Sequence, residues 1–435
     1  MRIVIRCEEA KLARAAQDAL AAAGVGAAAL PGMTLRPAPN GEDVTVIPAL
    51  EAPEKARKLA TGLRSLSPPP FAVLAGLNSA NPPALGLAGD PAFDGVIALN
   101  APPKLLAAQI QAHIRGAIAQ DERRRRAATA AELKAPAPTP PELRKLKALY
   151  IGAPSPMFLY LERALSQNGG LVAAAFSSFT GFDHLHDEPF DAVVLNGAQD
   201  PSTAVSLCAA LRRNATLYNL PTMVVTKPGD TATSSAAIDR GACAVATLNA
   251  PCGPSLGWLF EAIRRERRRR EAEHDNRAYR DIMGEARTGL FKRPAFETHL
   301  ARLAADHHIS GRTLALTALR VLPAHGASQP SEEVWKRGFN EIASLARRLI
   351  RETDSGAAIG GDLIVLALPA TDLRGAKRTA ERVASVSECT AFASGDGGAG
   401  PLVFEQSAVE LQPGESGAGM LARALRALDV ESISA

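Results

Sequence analysis

The chain of 435 residues has no apolar run approaching the 18 or more residues of a membrane span, so a membrane protein is not expected. Its cysteines are few. Cys7, Cys208, Cys243, Cys252 and Cys389 are odd in number, scattered and without a CxxC spacing, so neither a disulfide framework nor a zinc site is encoded. Buried thiols are the expectation. The opening MRIVIRCEEA lacks the apolar stretch and small-residue cleavage site of a secretory leader, and a cytoplasmic location is expected. No charge sign dominates, because a net charge of +4 names no partner by itself. What is present, 46% hydrophobic and 22% charged residues, is the composition of a globular protein. The length leaves room for about three domains.

Two stretches divide the chain. DERRRRAATAAELKAPAPTPPE (121–142) is a charged helix end running into a stiff Pro/Ala segment. IRRERRRREAEHDNRAYRDIMGEA (263–286) is helical in pattern and solvated nearly all round. Leu256, Leu259, Phe260 and Ile263 recur at helical spacing just before it, so a packed helix is expected to continue outward as a stalk.

The segments before the stalk share one plan. RIVIRC, DVTVIPA, FAVLAGL and DGVIALNAPP in the first, and KALYIGA, FDAVVLNG, PTMVVTK and CAVATLNA in the second, are short apolar runs separated by Ala/Leu-rich stretches of helical length. Alternating strand and helix predicts a doubly wound parallel sheet for each. These segments resemble tandem receiver domains of two-component signalling. In that family a phosphoacceptor Asp ends the third strand, acidic residues after the first strand hold Mg²⁺, and a Lys precedes a Pro at the fifth. The resemblance puts Pro48 and Asn196 at the acceptor positions and Asn100 and Asn249 at the Lys positions, with Glu8 and Glu9 left of the acidic cluster. Neither copy is expected to accept phosphate. Asp43 and Asp191 stand at the start of their strands, the wrong end for a ligand crevice.

The third segment carries the densest pattern. In RETDSGAAIGGDLIVL (351–366) an Arg and an Asp three apart stand five residues before a Gly-Gly-Asp turn. RTGLFKRPAFETHL (287–300) precedes it, TLALTALRVL reads as a core strand, and Trp335, Phe339, Ile342, Ala346 and Leu349 form one apolar helix face. LIVLALP pairs with AAI as a hairpin, and MLARALRALDVES closes the chain. This segment resembles the GGDEF domain of diguanylate cyclases. The fold class expected is therefore α/β and α+β: two tandem receiver-like (flavodoxin-like, parallel-sheet) domains followed by a GGDEF (cyclase-like, ferredoxin-like core) domain. The boundaries expected are a receiver-like domain at 1–120, a charged and Pro-rich linker at 121–141, a second receiver-like domain at 142–264, a helical stalk at 265–286 and the GGDEF domain at 287–435.

In that family an RxxD pair so placed is the inhibitory, product-binding site for cyclic di-GMP, and the turn belongs to the GTP-consuming site. The resemblance implies ligand binding by Arg351 and Asp354, with Arg382 where a second Arg of the site occurs. A guanidinium fork matches guanine O6 and N7, and a carboxylate accepts from the N1 and N2 hydrogens. The active-site turn, Gly360, Gly361 and Asp362, is degenerate, because Leu363 and Ile364 replace the Glu and Phe that complete the motif. The family holds two Mg²⁺ with a carboxylate on the first strand and another in the turn. An ungapped register puts Leu319 at the first, and Leu322, Ala327 and Lys336 at further positions that are Phe, Asn and Asp in active enzymes. No Asp or Glu occurs from 309 to 331. No catalytic residue, metal or cofactor is assigned; cyclic di-GMP is the expected ligand.

The order receiver, receiver, GGDEF resembles a group of cell-cycle cyclases and their degenerate paralogues. That resemblance implies a homodimeric effector at a bacterial cell pole, coupling the nucleotide to delivery of the replication regulator CtrA to the ClpXP protease through the adaptor RcdA. An active diguanylate cyclase and a nucleotide-independent dimeric scaffold are the rival readings. DHLHDE (183–188) is read as polar loop, and His307 and His308 as surface residues. The arginine runs at 123–126 and 264–270 lack interleaved aromatics, and glutamates are interspersed with the second, so nucleic acid is not an expected partner.

Overall fold

The computed structural model describes the chain except for residues 1, 32–34, 36–42, 50–52, 67–68, 79–82, 141–143, 249–252, 328, 395–400 and 435. It divides into two compact units, Met1–Ala117 with Glu142–Glu271 and Ile118–Pro141 with Ala272–Ala435.

The first unit holds two parallel five-stranded sheets. One contains β1 (Ile3–Cys7), β2 (Ala27–Pro31), β3 (Val44–Pro48), β4 (Ala72–Leu77) and β5 (Gly95–Ala98), in the order β2-β1-β3-β4-β5. The other contains β6 (Lys147–Ile151), β7 (Leu171–Ala175), β8 (Ala192–Asn196), β9 (Thr222–Thr226) and β10 (Ala244–Thr247), in the order β10-β9-β8-β6-β7. Counted within each copy, both follow the flavodoxin-like order 2-1-3-4-5. The central strands are continuous apolar runs because helices cover both faces, and β1, β4, β8 and β9 are buried along their whole length. Sequence reading named every strand of these two sheets except β2 and β7. Both are alanine-rich edge strands, AAALP and LVAAA, and alanine is a weak strand former.

An aspartate anchors the same point in each copy. Asp43, just before β3, accepts from the backbone N–H of Arg2 at 2.8 Å and from its Nη2 at 2.9 Å. Asp191, just before β8, accepts from the N–H of Lys147 at 2.9 Å and from Arg144 and Arg267 Nη2 at 2.8 Å each. These buried carboxylates tie the first strand of each copy to its third.

The second unit is built on an antiparallel sheet of β11 (Leu314–Pro323), β12 (Ser355–Ile359), β13 (Leu363–Pro369) and β14 (Leu402–Glu410), in the order β12-β13-β11-β14. With its two crossover helices this is the βαββαβ ferredoxin-like core. Alternation along the strands sorts side chains to two cores. Leu314, Leu316 and Ala318 of β11 join Val365, Phe296, Leu300 and Met420, while Ala315, Leu319 and Val321 join Ile364, Leu366, Phe339, Ile342 and Val383. The observed class is thus the expected one, α/β and α+β, with two flavodoxin-like sheets and a ferredoxin-like antiparallel sheet.

Two long helices, Pro103–Glu132 and Gly253–Met283, depart from the sequence reading. Residues 121–132 are helix throughout, with Glu122, Arg125, Arg126 and Thr129 buried in the second unit. The stretch expected to be solvated nearly all round buries Ala272, Asn276 and Met283. In both, ion pairs and carbonyl contacts bury residues whose polarity reads as solvent-facing.

Candidate functional site

The helix Glu332–Leu349 begins at Ser331, whose Oγ accepts from the N–H of Val334 at 3.4 Å, and two glutamates fill its first turn. It ends at Ile350, which is extended, and Arg351 follows. The segment closes on itself: the Arg351 N–H donates to Asp354 Oδ2 at 2.8 Å, and the Asp354 N–H to the Arg351 carbonyl at 3.1 Å. Asp354 is 8% exposed, and its Oδ1 has no hydrogen-bond partner among the described residues. Burial pushes its carboxyl up to about 6, against the pull of the Arg351 N–H and guanidinium and with a further push from Glu122. Arg351 is exposed, and its guanidinium makes no hydrogen bond or ion pair among the described residues. Arg382, on the helix Leu373–Glu388, donates from Nη2 to the carbonyl of Leu349 at 2.9 Å, two residues from Arg351. The three sequence-predicted ligand residues therefore share one neighbourhood.

Sequence reasoning missed what holds this turn. Arg126, 1% exposed, donates from Nη2 to the carbonyls of Glu352 and Asp354 at 2.9 Å each and from Nη1 to the carbonyl of Asn276 at 2.8 Å. Its Nε donates to Glu122 Oε1 at 2.7 Å, and its guanidinium lies 5.4 Å from the centre of the Phe291 ring. Glu122 also meets His299 Nε2 at 3.0 Å, and Thr129 Oγ1 lies 3.2 Å from His299 Nδ1. Burial opposes ionisation of Glu122, but His299, Arg126 and Arg125 overcome it and hold the carboxyl well below its usual range. Glu352, inside the RETD turn, is paired with Arg280 and with Arg347 at 2.8 Å. The available clue was the Glu122/Arg126 spacing of four, with Glu on the N-terminal side, the favoured helical orientation.

The Gly-Gly-Asp turn joins β12 to β13. Gly360 has φ +71°, the left-handed region that favours glycine. Gly361 O accepts from Trp335 Nε1 at 2.8 Å, and Asp362 O from the N–H of Val321 at 2.7 Å. Leu319 pairs with Ile364 across the sheet and is 2% exposed in the core with Phe339 and Ile342. Lys336 is exposed, whereas Leu322 and Ala327 are half-buried. Phe392 lies against the helix at Gly338, where an added Cβ would meet its ring at 2.0 Å, and its ring centre is 6.0 Å from that of Trp335. Among the described residues no three His, Cys, Asp or Glu side chains converge as a metal-ligand set.

In the parallel sheets, Pro48 and Asn196 end β3 and β8. Asn196 Nδ2 donates to the carbonyl of Ala153 at 2.7 Å, and its Oδ1 accepts from the N–H of Ala198 at 3.2 Å. Glu8 and Glu9 are exposed, with Glu8 3.0 Å from Lys55 Nζ; Asn100 donates to Asn78 at 2.9 Å. Asn249 and Cys252 lie outside the described residues.

Two local readings are corrected. DHLHDE is not a loop, because the helix Ser178–Asp187 contains all but its last residue, Glu188, the C-cap. His307 is not at the surface; it is 2% exposed, Nδ1 lies 2.8 Å from the Leu303 carbonyl, and burial lowers its pKa to about 4. His308 is exposed. Among the arginines at 123–126, Arg125 and Arg126 are buried and Arg123 pairs with Asp275 at 3.2 Å.

A cavity of about 800 Å³ opens beside the polar face of the helix Glu332–Leu349, lined by Arg287, Lys336, Arg337 and Arg348 together with Glu333 and Glu341. Arg351, Asp354 and Arg382 do not line it. Its mixed charge marks no ligand class.

No family model and no curated protein matches the chain. Among solved structures it is similar to the GGDEF domain of DgcB from Caulobacter crescentus in complex with c-di-GMP, at 21% identity over 35% of this chain and 92% of that one, with a TM-score of 0.28. The FimX GGDEF domain from Pseudomonas aeruginosa is matched at 15% identity over 35% of this chain and 95% of that one, with a TM-score of 0.29. A response regulator from Chloroflexus aurantiacus is matched at 18% identity over 29% of this chain and 98% of that one, with a TM-score of 0.24. These likenesses lend no residue roles to this chain.

Proposed function

We propose that the chain is a cyclic di-GMP effector without cyclase activity, comparable to the receiver-receiver-GGDEF protein PopA. One observation carries the reading: among the described residues, a buried carboxylate oxygen, Asp354 Oδ1, has no donor, and the guanidinium of Arg351 in the same turn has no partner. A guanine edge supplies the complement to both. Its N1 and N2 hydrogens give Asp354 the donors it lacks, and its O6 and N7 take the two hydrogen bonds of the Arg351 fork. Arg382, which donates to the Leu349 carbonyl two residues from Arg351, is the second arginine of the site in this reading. Arg126 keeps the turn in place through the carbonyls of Glu352 and Asp354.

The turn does not fit a two-Mg²⁺ centre. Leu319 lies in the apolar core at the position of the first carboxylate, which leaves Asp362. In this reading, cyclic di-GMP shifts the population of domain arrangements or of homodimers, by no more than its differential affinity for them. The downstream role is recruitment of proteins at a cell pole for ClpXP-dependent degradation, with RcdA and CtrA as the partners to test.

The test is titration of cyclic di-GMP into the wild-type chain and Arg351→Ala. Hydrogen bonds to a charged group contribute about 1.5–3 kcal/mol, so the variant should bind about tenfold to hundredfold more weakly. Equal heats, or none in either, leaves the nucleotide-independent scaffold. Accumulation of cyclic di-GMP from GTP and Mg²⁺ would establish a cyclase instead.

A further inference from the structure

The first unit contains a second cavity, of about 180 Å³, which the reading above does not use. Taking roughly 15 Å³ of such volume for each water-sized sphere, it holds about a dozen. Its apolar lining includes Ala112, Ala242 and Ala262, and its charged lining is four arginines against one glutamate.

The arginines come from three helices. Arg115 lies on Pro103–Glu132, Arg212 on Pro201–Arg213, and Arg265 and Arg269, one turn apart on one face, on Gly253–Met283. Arg212 is fixed by neutral acceptors: the carbonyls of Tyr218, Gly241 (3.2 Å) and Leu220 (2.8 Å), and Thr222 Oγ1 at 3.0 Å. Those bonds hold the group in place and leave its charge uncompensated. The one carboxylate, Glu266, is already shared between Arg269 at 2.7 Å and Arg270 at 3.0 Å. The acid nearest Arg265 is Glu261, at 3.7 Å. Arg115 makes no hydrogen bond or ion pair among the described residues. It retains solvent contact, yet its charged form is disfavoured, first by desolvation and then by the like charges of Arg269 and Arg265.

Four guanidinium-bearing side chains lining one cavity repel one another, and an anion in that cavity would relieve the repulsion. We propose that this cavity binds a small phosphate-bearing anion, with Arg115 and Arg265 as its principal ligands and Arg212 and Arg269 supplying fixed positive potential. A phosphate fits the chemistry because each guanidinium presents paired donors to two oxygens of one tetrahedral group. The alanines of the lining are compatible with a small organic part, so a free oxyanion and a nucleotide share the recognition.

The probe is inorganic pyrophosphate, titrated into the full chain at low ionic strength, with adenosine diphosphate in parallel. One equivalent should bind, and Arg115→Ala and Arg265→Ala should each weaken binding at least about tenfold, the weight of one charge-assisted hydrogen bond. Arg115 is exposed, so that variant keeps the fold, as circular dichroism would verify. Arg348→Ala, in the mixed-charge cavity of the other unit, and Arg351→Ala should bind pyrophosphate like wild type, which separates this site from the cyclic di-GMP turn. Tighter binding of adenosine diphosphate than of pyrophosphate identifies a nucleotide as the occupant, and equal binding identifies the oxyanion. No binding at millimolar pyrophosphate, or unchanged binding by Arg115→Ala, overturns the assignment.

Discussion

Replacing Asp354 by asparagine exchanges one oxygen for an amide nitrogen and should move stability and ligand affinity in opposite directions. In the folded chain the Asp354 carboxyl is raised from 3.8 to about 6, because it is buried with one oxygen unpartnered. Between those values the folded state retains a proton that the unfolded state has released. The stabilising contribution is therefore greatest below about pH 4, falls as pH rises to about 6 and is constant above. At about 1.4 kcal/mol for each pH decade, the loss is about 3 kcal/mol. Asparagine carries no charge to desolvate, and its carbonyl oxygen still accepts the Arg351 N–H. The variant should exceed wild type by up to about 3 kcal/mol at pH 8, and by about half that near pH 5. Its amide group offers guanine N1–H and N2–H a donor where an acceptor is required, so cyclic di-GMP affinity should fall at least about tenfold. Urea unfolding in a Trp258→Phe background leaves Trp335, in the same unit as Asp354, as the fluorescent reporter. A variant weaker than wild type at pH 8, or a stability gap independent of pH, would refute the account of the buried carboxylate. Unchanged affinity would refute its role in recognition.

Arg126→Ala strips the Glu122 carboxylate and the carbonyls of Asn276, Glu352 and Asp354 of a buried donor, so it should cost about 3–5 kcal/mol in the same unfolding assay. Leu319→Asp, the change that would restore the first metal-binding carboxylate, places a charge in an apolar core; a loss of about 3 kcal/mol or more is expected and no cyclic di-GMP from GTP by chromatography. Beryllofluoride should leave the gel-filtration profile unchanged, since Pro48 and the amide of Asn196 offer no acyl-phosphate oxygen. A shift in that profile would locate an acceptor elsewhere.

The fold was legible wherever a local pattern carried the information. Alternating apolar runs and Ala/Leu-rich stretches named the central parallel strands, and β2 and β7 escaped because AAALP and LVAAA carry little strand preference. The hairpin of β12 and β13 was visible from its glycines, and Gly360 does take the left-handed conformation. Arg351, Asp354 and Arg382 were chosen from register, and the turn that joins the first two is local enough to be set by their spacing of three.

Sequence alone therefore determined the central parallel strands and the position of the RETD turn ahead of its hairpin, because both rest on patterns within a few residues. Only the tertiary structure decided which charges are buried. Arg126 looks like the exposed Arg124 until the carbonyls it holds, 226 and 228 residues away, come into view. His307 looks like His308 until one of them is enclosed. A charged side chain leaves water only when a distant segment supplies its partners, and the local pattern around it carries no record of where that segment will fold.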